Sequence, residues 1–264
     1  MTVLRWNGQS VTGSSDELAI EEPLEIRVRG RAISVTMRTP GHDAELAAGF
    51  LLSEGIIHSQ KDLLRAEHCA RNEEANVLNV TLGPDVVVDF ASLTRHVFAS
   101  SSCGLCGKAT IASINRRLAP VESSLMISAS VIASLPEKMR AEQQTFDRTG
   151  GLHAAALFDA SGNLLVLRED IGRHNAVDKV AGHCLLNGLL PLENYLLLVS
   201  GRSSFEIMQK ALAARVPIVA AISAPSSLAM DFAEASNQTL IGFLNSQRMN
   251  VYTHPRRVQF DTPA

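Results

Sequence analysis

The chain reads as an α/β protein with a mainly parallel or mixed sheet. Short, predominantly apolar runs recur in its second half, at residues 195–200, 217–222 and 239–243. They are strand-sized and lack the alternation of a half-exposed strand, which marks strands buried on both faces. The first two are each followed by a serine-rich turn and a helix-length amphipathic stretch, the alternation expected of βαβ units. At 264 residues, with 46% hydrophobic and 19% charged, the chain can bury a proper core.

Taken in order, residues up to about Asp16 are polar and contain Gly and Ser, an arm or edge strand. Residues 24–28 and 33–37 alternate on either side of Arg29-Gly30-Arg31, a β-hairpin. Thr39-Pro40-Gly41-His42-Asp43 opens a helix with Leu46, Phe50 and Leu51 on one face and Gly55 after its end. Residues 77–81 and 86–88 read as short strands around Gly83-Pro84, and residues 128–143 as a helical connector broken at Leu135-Pro136. Residues 154–158 and 164–167 form strands about the turn Ser161-Gly162-Asn163. A helix with Val177, Val180, Ala181 and Cys184 inward follows Glu169-Asp170-Ile171-Gly172-Arg173-His174-Asn175. Ser203 and Glu206 have capping-box spacing ahead of the next helix. The coarse division is residues 1–127, a smaller β-hairpin/α portion, and residues 128–264, an α/β portion; the two could also form one domain.

Charge and targeting patterns narrow the class. A formal net charge of −3 supplies no basic field for nucleic acid. No apolar run approaches a membrane span, and the first residues lack a signal-peptide core. Of the four cysteines, Cys69 and Cys184 are singletons and read as structural, so a disulfide framework is not expected and a reducing cytoplasm is.

The other two stand in Ser102-Cys103-Gly104-Leu105-Cys106-Gly107-Lys108, a C-x-x-C framed by serines and glycines. Ile111, Ile114 and Leu118 then recur at helical spacing, so the pair lies on a loop that opens a helix. Helix-start amides and Lys108 favour the thiolate, the form that attacks sulfur or binds metal. A dithiol redox pair, half of a zinc site and a persulfide carrier all fit these residues. Ser200-Gly201-Arg202-Ser203-Ser204 and Ser223-Ala224-Pro225-Ser226-Ser227 each sit where an apolar strand passes into a helix. Such strand ends bind ligands in α/β sheets, and helix-start amides suit phosphate. Asp170, His174 and Asp178, four apart, concentrate further polar chemistry.

Several blocks resemble the formate dehydrogenase accessory sulfurtransferase (FdhD) family. They are Glu22-Pro23-Leu24-Glu25-Ile26, Thr39-Pro40-Gly41-His42-Asp43-Ala44-Glu45-Leu46, the Cys103 loop, Gly150-Gly151-Leu152-His153, residues 169–179, residues 200–204 and Asn250-Val251-Tyr252-Thr253-His254. The resemblance implies a cytidine-deaminase-like mixed sheet flanked by helices, and a homodimer. It also implies a sulfurtransferase that takes persulfide sulfur from a cysteine desulfurase. The acceptor would be the molybdenum bis(molybdopterin guanine dinucleotide) cofactor needed by formate dehydrogenase, with a guanine nucleotide as mimic. By position, Cys103 matches the persulfide-bearing cysteine and Cys106 its partner. The cofactor-contacting segment maps onto Phe243, Leu244, Asn245, Ser246, Gln247 and Arg248; no resident metal is implied. Here Asn245-Ser246-Gln247 departs from the Pro-Gly frequent at this loop.

The alternatives are a deaminase-like zinc hydrolase and a non-catalytic cofactor-binding chaperone. The first needs H-x-E and P-C-x-x-C; this chain has His42-Asp43-Ala44-Glu45, and Ser before Cys103. A thioredoxin-like protein fits least, since no strand–CxxC–helix unit lies near the N-terminus.

Overall fold

The structure, a computed structural model, describes residues 1–69, 75–90 and 118–260. The loop with Cys103 and Cys106 and the helix expected after it lie outside the described residues.

The first residues form a hairpin, β1 (Thr2–Trp6) with β2 (Val11–Ser15), where an arm or edge strand was expected. A four-stranded sheet follows, in the order β4-β3-β6-β5, from β3 (Glu22–Val28), β4 (Arg31–Arg38), β5 (Leu63–His68) and β6 (Val77–Leu82). Arg29 and Gly30 turn the β3–β4 hairpin with φ of 50° and 76°, the left-handed pair whose twist suits adjoining strands. Leu24, Ile26 and Val28 point into the core while Glu25 and Arg27 face outward, as the alternation requires. Residues 86–88 belong to no strand, contrary to expectation; β5 supplies the partner of β6 instead. Its sequence, Leu63-Leu64-Arg65-Ala66-Glu67-His68, buries only its first residue fully and so shows no alternation.

The second sheet has six strands in the order β13-β12-β11-β10-β8-β9. These are β8 (His153–Phe158), β9 (Leu164–Asp170), β10 (Leu196–Val199), β11 (Ile218–Ala221), β12 (Thr239–Gly242) and β13 (Asn250–Val251). β10, β11 and β12 are parallel and the remaining pairs antiparallel, so the sheet is mixed. Leu197, Val199, Val219, Ala221 and Leu240 face one hydrophobic core, and Leu196, Leu198, Ile218, Ala220 and Ile241 face another. Burial on both faces is why these strands read as unbroken apolar runs. The second core is closed by Ile132, Leu135 and Met139 of α2 (Ala129–Ala141), whose first turn is capped by the Ser128 hydroxyl, and by a two-stranded pair, β7 (Ile127–Ser128) with β14 (Val258–Gln259). A short helix, α3 (Gln144–Thr149), leads back to β8.

A helix pair joins the two sheets. α1 (Asp43–Ser53) packs on β5 and β6, and α4 (Arg173–Leu186) on β8 and β9. The two cross through glycine. A Cβ on Gly49 would lie 1.9 Å from the Asp178 carbonyl oxygen, and one on Gly182 would lie 1.8 Å from that of Glu45. Backbone thus meets backbone, and Ala47, Ala48 and Ala181 pack in the same core. Cys184 is buried on α4 as its spacing implied. The first core continues to α5 (Phe205–Ala213) and α6 (Ser227–Ala235), where Phe205 and Phe232 meet edge to face at 5.0 Å.

Candidate functional site

The parallel strands end together. Val199 of β10 is in register with Ala221 of β11, and Ala220 with Ile241 of β12, so residues 200–204, 223–227 and 243–248 leave the sheet side by side. The serine loops are tied directly: Ser203 bridges Pro225, and the Ser226 amide donates to the Ser203 carbonyl at 3.0 Å. β8 runs antiparallel beside β10, which brings its first residue, His153, to the same end; the Ser200 amide donates to Ala154 and its hydroxyl accepts from the Ala154 amide.

The charged motif at residues 169–179 divides into two groups. Its acidic members point inward and fasten elements. Asp170 is fully buried, 2.7 Å from Lys179 Nζ, and accepts from the amides of Thr39 and Gly172 and from Asn175 Nδ2. Asn175 Nδ2 also donates to the Met37 carbonyl, and Lys179 Nζ to that of Thr39, so β4 is held against the start of α4. Asp178 accepts from Ser53 at 2.8 Å and Lys210 at 2.7 Å, joining α1, α4 and α5. Burial disfavours the Lys210 ammonium, but Asp178 and Glu206 outweigh it and raise its pKa. The Glu169 carboxylate accepts from the amides of Thr145 and Phe146, anchoring the start of α3.

Lys179 fastens with the acids, whereas Arg173 and His174 lie at the strand ends against the serine loop. Arg173 Nε donates to His174 Nε2 at 3.3 Å, and the same nitrogen lies 3.2 Å from Ser204 Oγ. His174 Nδ1 lies 3.3 Å from Glu206. Burial above all depresses the His174 pKa, to about 4, against the opposing pull of Glu206. Burial and Arg173 likewise lower that of His153. Gly201 is the close-approach point: a Cβ there would touch the His153 ring at 3.4 Å and Arg173 Cδ at 3.8 Å. The capping box expected of Ser203 and Glu206 does not form. Ser204 is the N-cap residue of α5, no side chain caps its first turn, and Ser203 is buried with its hydroxyl unpaired. Glu206 is instead drawn to His174 and Lys210.

On the opposite face of the strand ends lies a cavity of about 1110 Å³. Met139, Leu152 and Ile222 give it an apolar floor, and His153, Ser200, Asn245 and Ser246 present polar groups. The far wall is α2–α3, where Arg140 stacks over the Phe146 ring at 4.8 Å and pairs with Asp147 at 2.5 Å. That volume suits a nucleotide-sized ligand. This wall carried no sequence signal, because its side chains meet β8 and the residues after β12 only in the folded chain.

The residues expected to contact a cofactor are dispersed along one turn. Asn245 and Ser246 line the cavity, and the Asn245 carboxamide oxygen accepts from the amides of Gln247 and Arg248, closing the loop. Leu244 is buried in the second core. Phe243, in the left-handed region at φ 52°, is turned away from it and half-exposed. Gln247 and Arg248 are exposed, as is Arg202. Cys103 and Cys106 lie outside the described residues. Burial pushes the Cys184 thiol up to about 12, so it is inert.

Among the described residues, no three or more His, Cys, Asp and Glu side chains are grouped to hold a metal ion. Glu45, the proton shuttle of the hydrolase alternative, is occupied by Arg168 at 2.5 Å and His183 at 2.9 Å, with His42 at 3.4 Å. No helix among the described residues is long and apolar enough to cross a membrane.

Comparisons with known proteins agree with this architecture. The model of the FdhD/NarQ family matches residues 19–259. A protein of Streptomyces coelicolor named sulfur carrier protein FdhD is 48% identical over 264 residues, covering 97% of this chain and 94% of its own. A Mycobacterium tuberculosis protein of the same name is 49% identical, covering 92% of each, and one from Saccharolobus solfataricus 44%, covering 92% and 91%. A crystal structure from Desulfotalea psychrophila, provisionally described as a formate dehydrogenase accessory protein, superposes with a TM-score of 0.78 over 98% of both chains. At 24% identity it shows a shared fold.

Proposed function

The chain belongs to the FdhD/NarQ family, and from that premise we propose that it is a sulfur carrier acting in the maturation of formate dehydrogenase. In this reading Cys103 accepts a sulfane sulfur from a cysteine desulfurase as a persulfide, and Cys106 assists its release. The acceptor is molybdenum held by two molybdopterin guanine dinucleotides, bound as substrate at the strand ends. The near full-length match to relatives named as sulfur carriers bears the reading.

The chemistry of the site is compatible with that acceptor. A phosphate-rich dinucleotide needs neutral donors and cations, and the strand ends offer Ser200, Asn245, Ser246, the first-turn amides of α5 and the exposed Arg202 and Arg248. His153 and His174, neutral at pH 7, add hydrogen-bonding capacity without charge. The protein would act as a homodimer in the cytoplasm, with residues 1–127 bearing the sulfur and residues 128–264 most of the cofactor site.

The deciding experiment is intact-mass spectrometry after incubation with a cysteine desulfurase and cysteine. A one-sulfur adduct, removable by reductant and absent from Cys103→Ala, is expected; a persisting adduct in that variant refutes the assignment. Calorimetry with GDP tests the second half, since loss of one charge-assisted phosphate contact in Arg202→Ala or Arg248→Ala costs about 1.5–3 kcal/mol, roughly ten- to hundredfold in affinity. Unchanged binding in both variants places the nucleotide elsewhere.

A further inference from the structure

The far wall of the cavity holds a buried polar side chain that the fold leaves unused. Gln143, in the turn between α2 and α3, is 3% exposed and lines the cavity. It occupies the N-cap position of α3, yet its side chain caps nothing there. The Glu169 carboxylate accepts from the Thr145 and Phe146 amides instead. Among the described residues the Gln143 carboxamide makes no hydrogen bond. A buried amide without a partner is costly, and the cavity is the side from which one arrives. Glu137 lines the same wall and pairs with no cation among the described residues, whereas Asp147 is taken by Arg140.

We propose that Gln143 and Glu137 read the base of the bound nucleotide and select guanine over adenine. The inference rests on the reading of the strand ends as a guanine dinucleotide site, and it adds which residues identify the base. A carboxamide donates through its NH2 group, and a carboxylate only accepts. Guanine presents O6, which accepts, beside N1–H and the N2 amino group, which donate. Gln143 Nε2 donating to O6 and Glu137 accepting from N1–H and N2 satisfy that edge. Adenine lacks the N2 amino group, and its unprotonated N1 sets a lone pair against the Glu137 carboxylate. Its edge is held off, so neither contact forms.

The surroundings suit a flat base. Met139 and Leu152 give an apolar bed, and the Arg140 guanidinium stacked on the Phe146 ring gives a planar cation–aromatic surface. Asn245 and Ser246 line the same cavity, so a base against this wall leaves its phosphates toward residues 243–248 and the exposed Arg248. The wall and the strand ends thus divide the ligand between them, base to one and phosphate to the other.

Calorimetry of the full chain with GDP, inosine diphosphate and ADP tests the assignment. The parent should bind GDP best, inosine diphosphate next, since it keeps O6 and N1–H but lacks the N2 amino group, and ADP least. Gln143→Met, similar in length, should weaken GDP by roughly tenfold and leave ADP unchanged. Glu137→Gln should weaken GDP by roughly ten- to hundredfold and strengthen ADP. A role confined to packing would lower all three affinities alike, and melting of each variant checks that it folds. Equal GDP and ADP affinity in the parent, or an unaltered GDP-to-ADP ratio in both variants, overturns the base wall; if Arg248→Ala still weakens GDP, the cofactor site itself stands. A parent that binds none of the three nucleotides overturns the cofactor site and the base wall with it.

Discussion

Replacing Gly182 by Ala probes the helix crossing that brings both halves of the site together. In an exposed helix this change stabilises by about 1 kcal/mol, through the lower entropy of the unfolded chain and better helix propensity. Here the added Cβ would lie 1.8 Å from the Glu45 carbonyl oxygen, a backbone atom that cannot rotate aside. Reaching even 3.0 Å, the shortest approach real Cβ atoms make, parts α1 from α4 by at least 1.2 Å. That displacement strains a close-packed core, at about 1–3 kcal/mol. It also stretches the 2.8 Å Ser53–Asp178 bond, a hydrogen bond to a buried charge contributing about 1.5–3 kcal/mol. Net destabilisation is therefore about 2–5 kcal/mol after the propensity gain, a large share of the usual 5–15 kcal/mol. Urea unfolding of Gly182→Ala, Gly49→Ala and the double variant measures it. The double variant should lose less than the two single losses together, because one separation relieves both clashes. Stability equal to the parent in either single variant refutes the close crossing.

His174 predicts a specific pH dependence. Its folded pKa of about 4 lies below the unfolded 6.5, so the unfolded chain binds the extra proton and stability falls as pH drops through that interval. At pH 5 the loss is about 2 kcal/mol relative to pH 7.5, and the difference between parent and His174→Gln unfolding curves should show it; parallel curves at the two pH values refute it. Asp170→Asn leaves the Lys179 ammonium buried without its partner and should cost about 3–5 kcal/mol in chemical unfolding. An unchanged midpoint there means the pair does not fasten β4 to α4.

Much of the fold was legible because local patterns carry it. Residues 195–200, 217–222 and 239–243 read as strands since burial on both faces favours apolar side chains throughout, and the neighbouring serine loops followed from their position at strand ends. β5 was not legible, because a strand exposed on most positions has no period to read. Ser203 and Glu206 had capping-box spacing, yet His174, distant in sequence, and Lys210, one turn along the same helix, offered Glu206 stronger partners than an amide. The charged motif shows the boundary most clearly. Its density announced specific chemistry, but spacing along a helix cannot say which members face a partner helix and which face a crevice. The glycine crossing of α1 on α4 made that division: it draws Asp178 into contact with Ser53 and Lys210, while Arg173 and His174, one turn earlier, remain at the open end of the sheet. The sequence by itself determined the elements and the chemical groups available. Tertiary structure decided which of them are fasteners and which are reagents, because a side chain's protonation, partners and exposure are set by atoms far away in the chain.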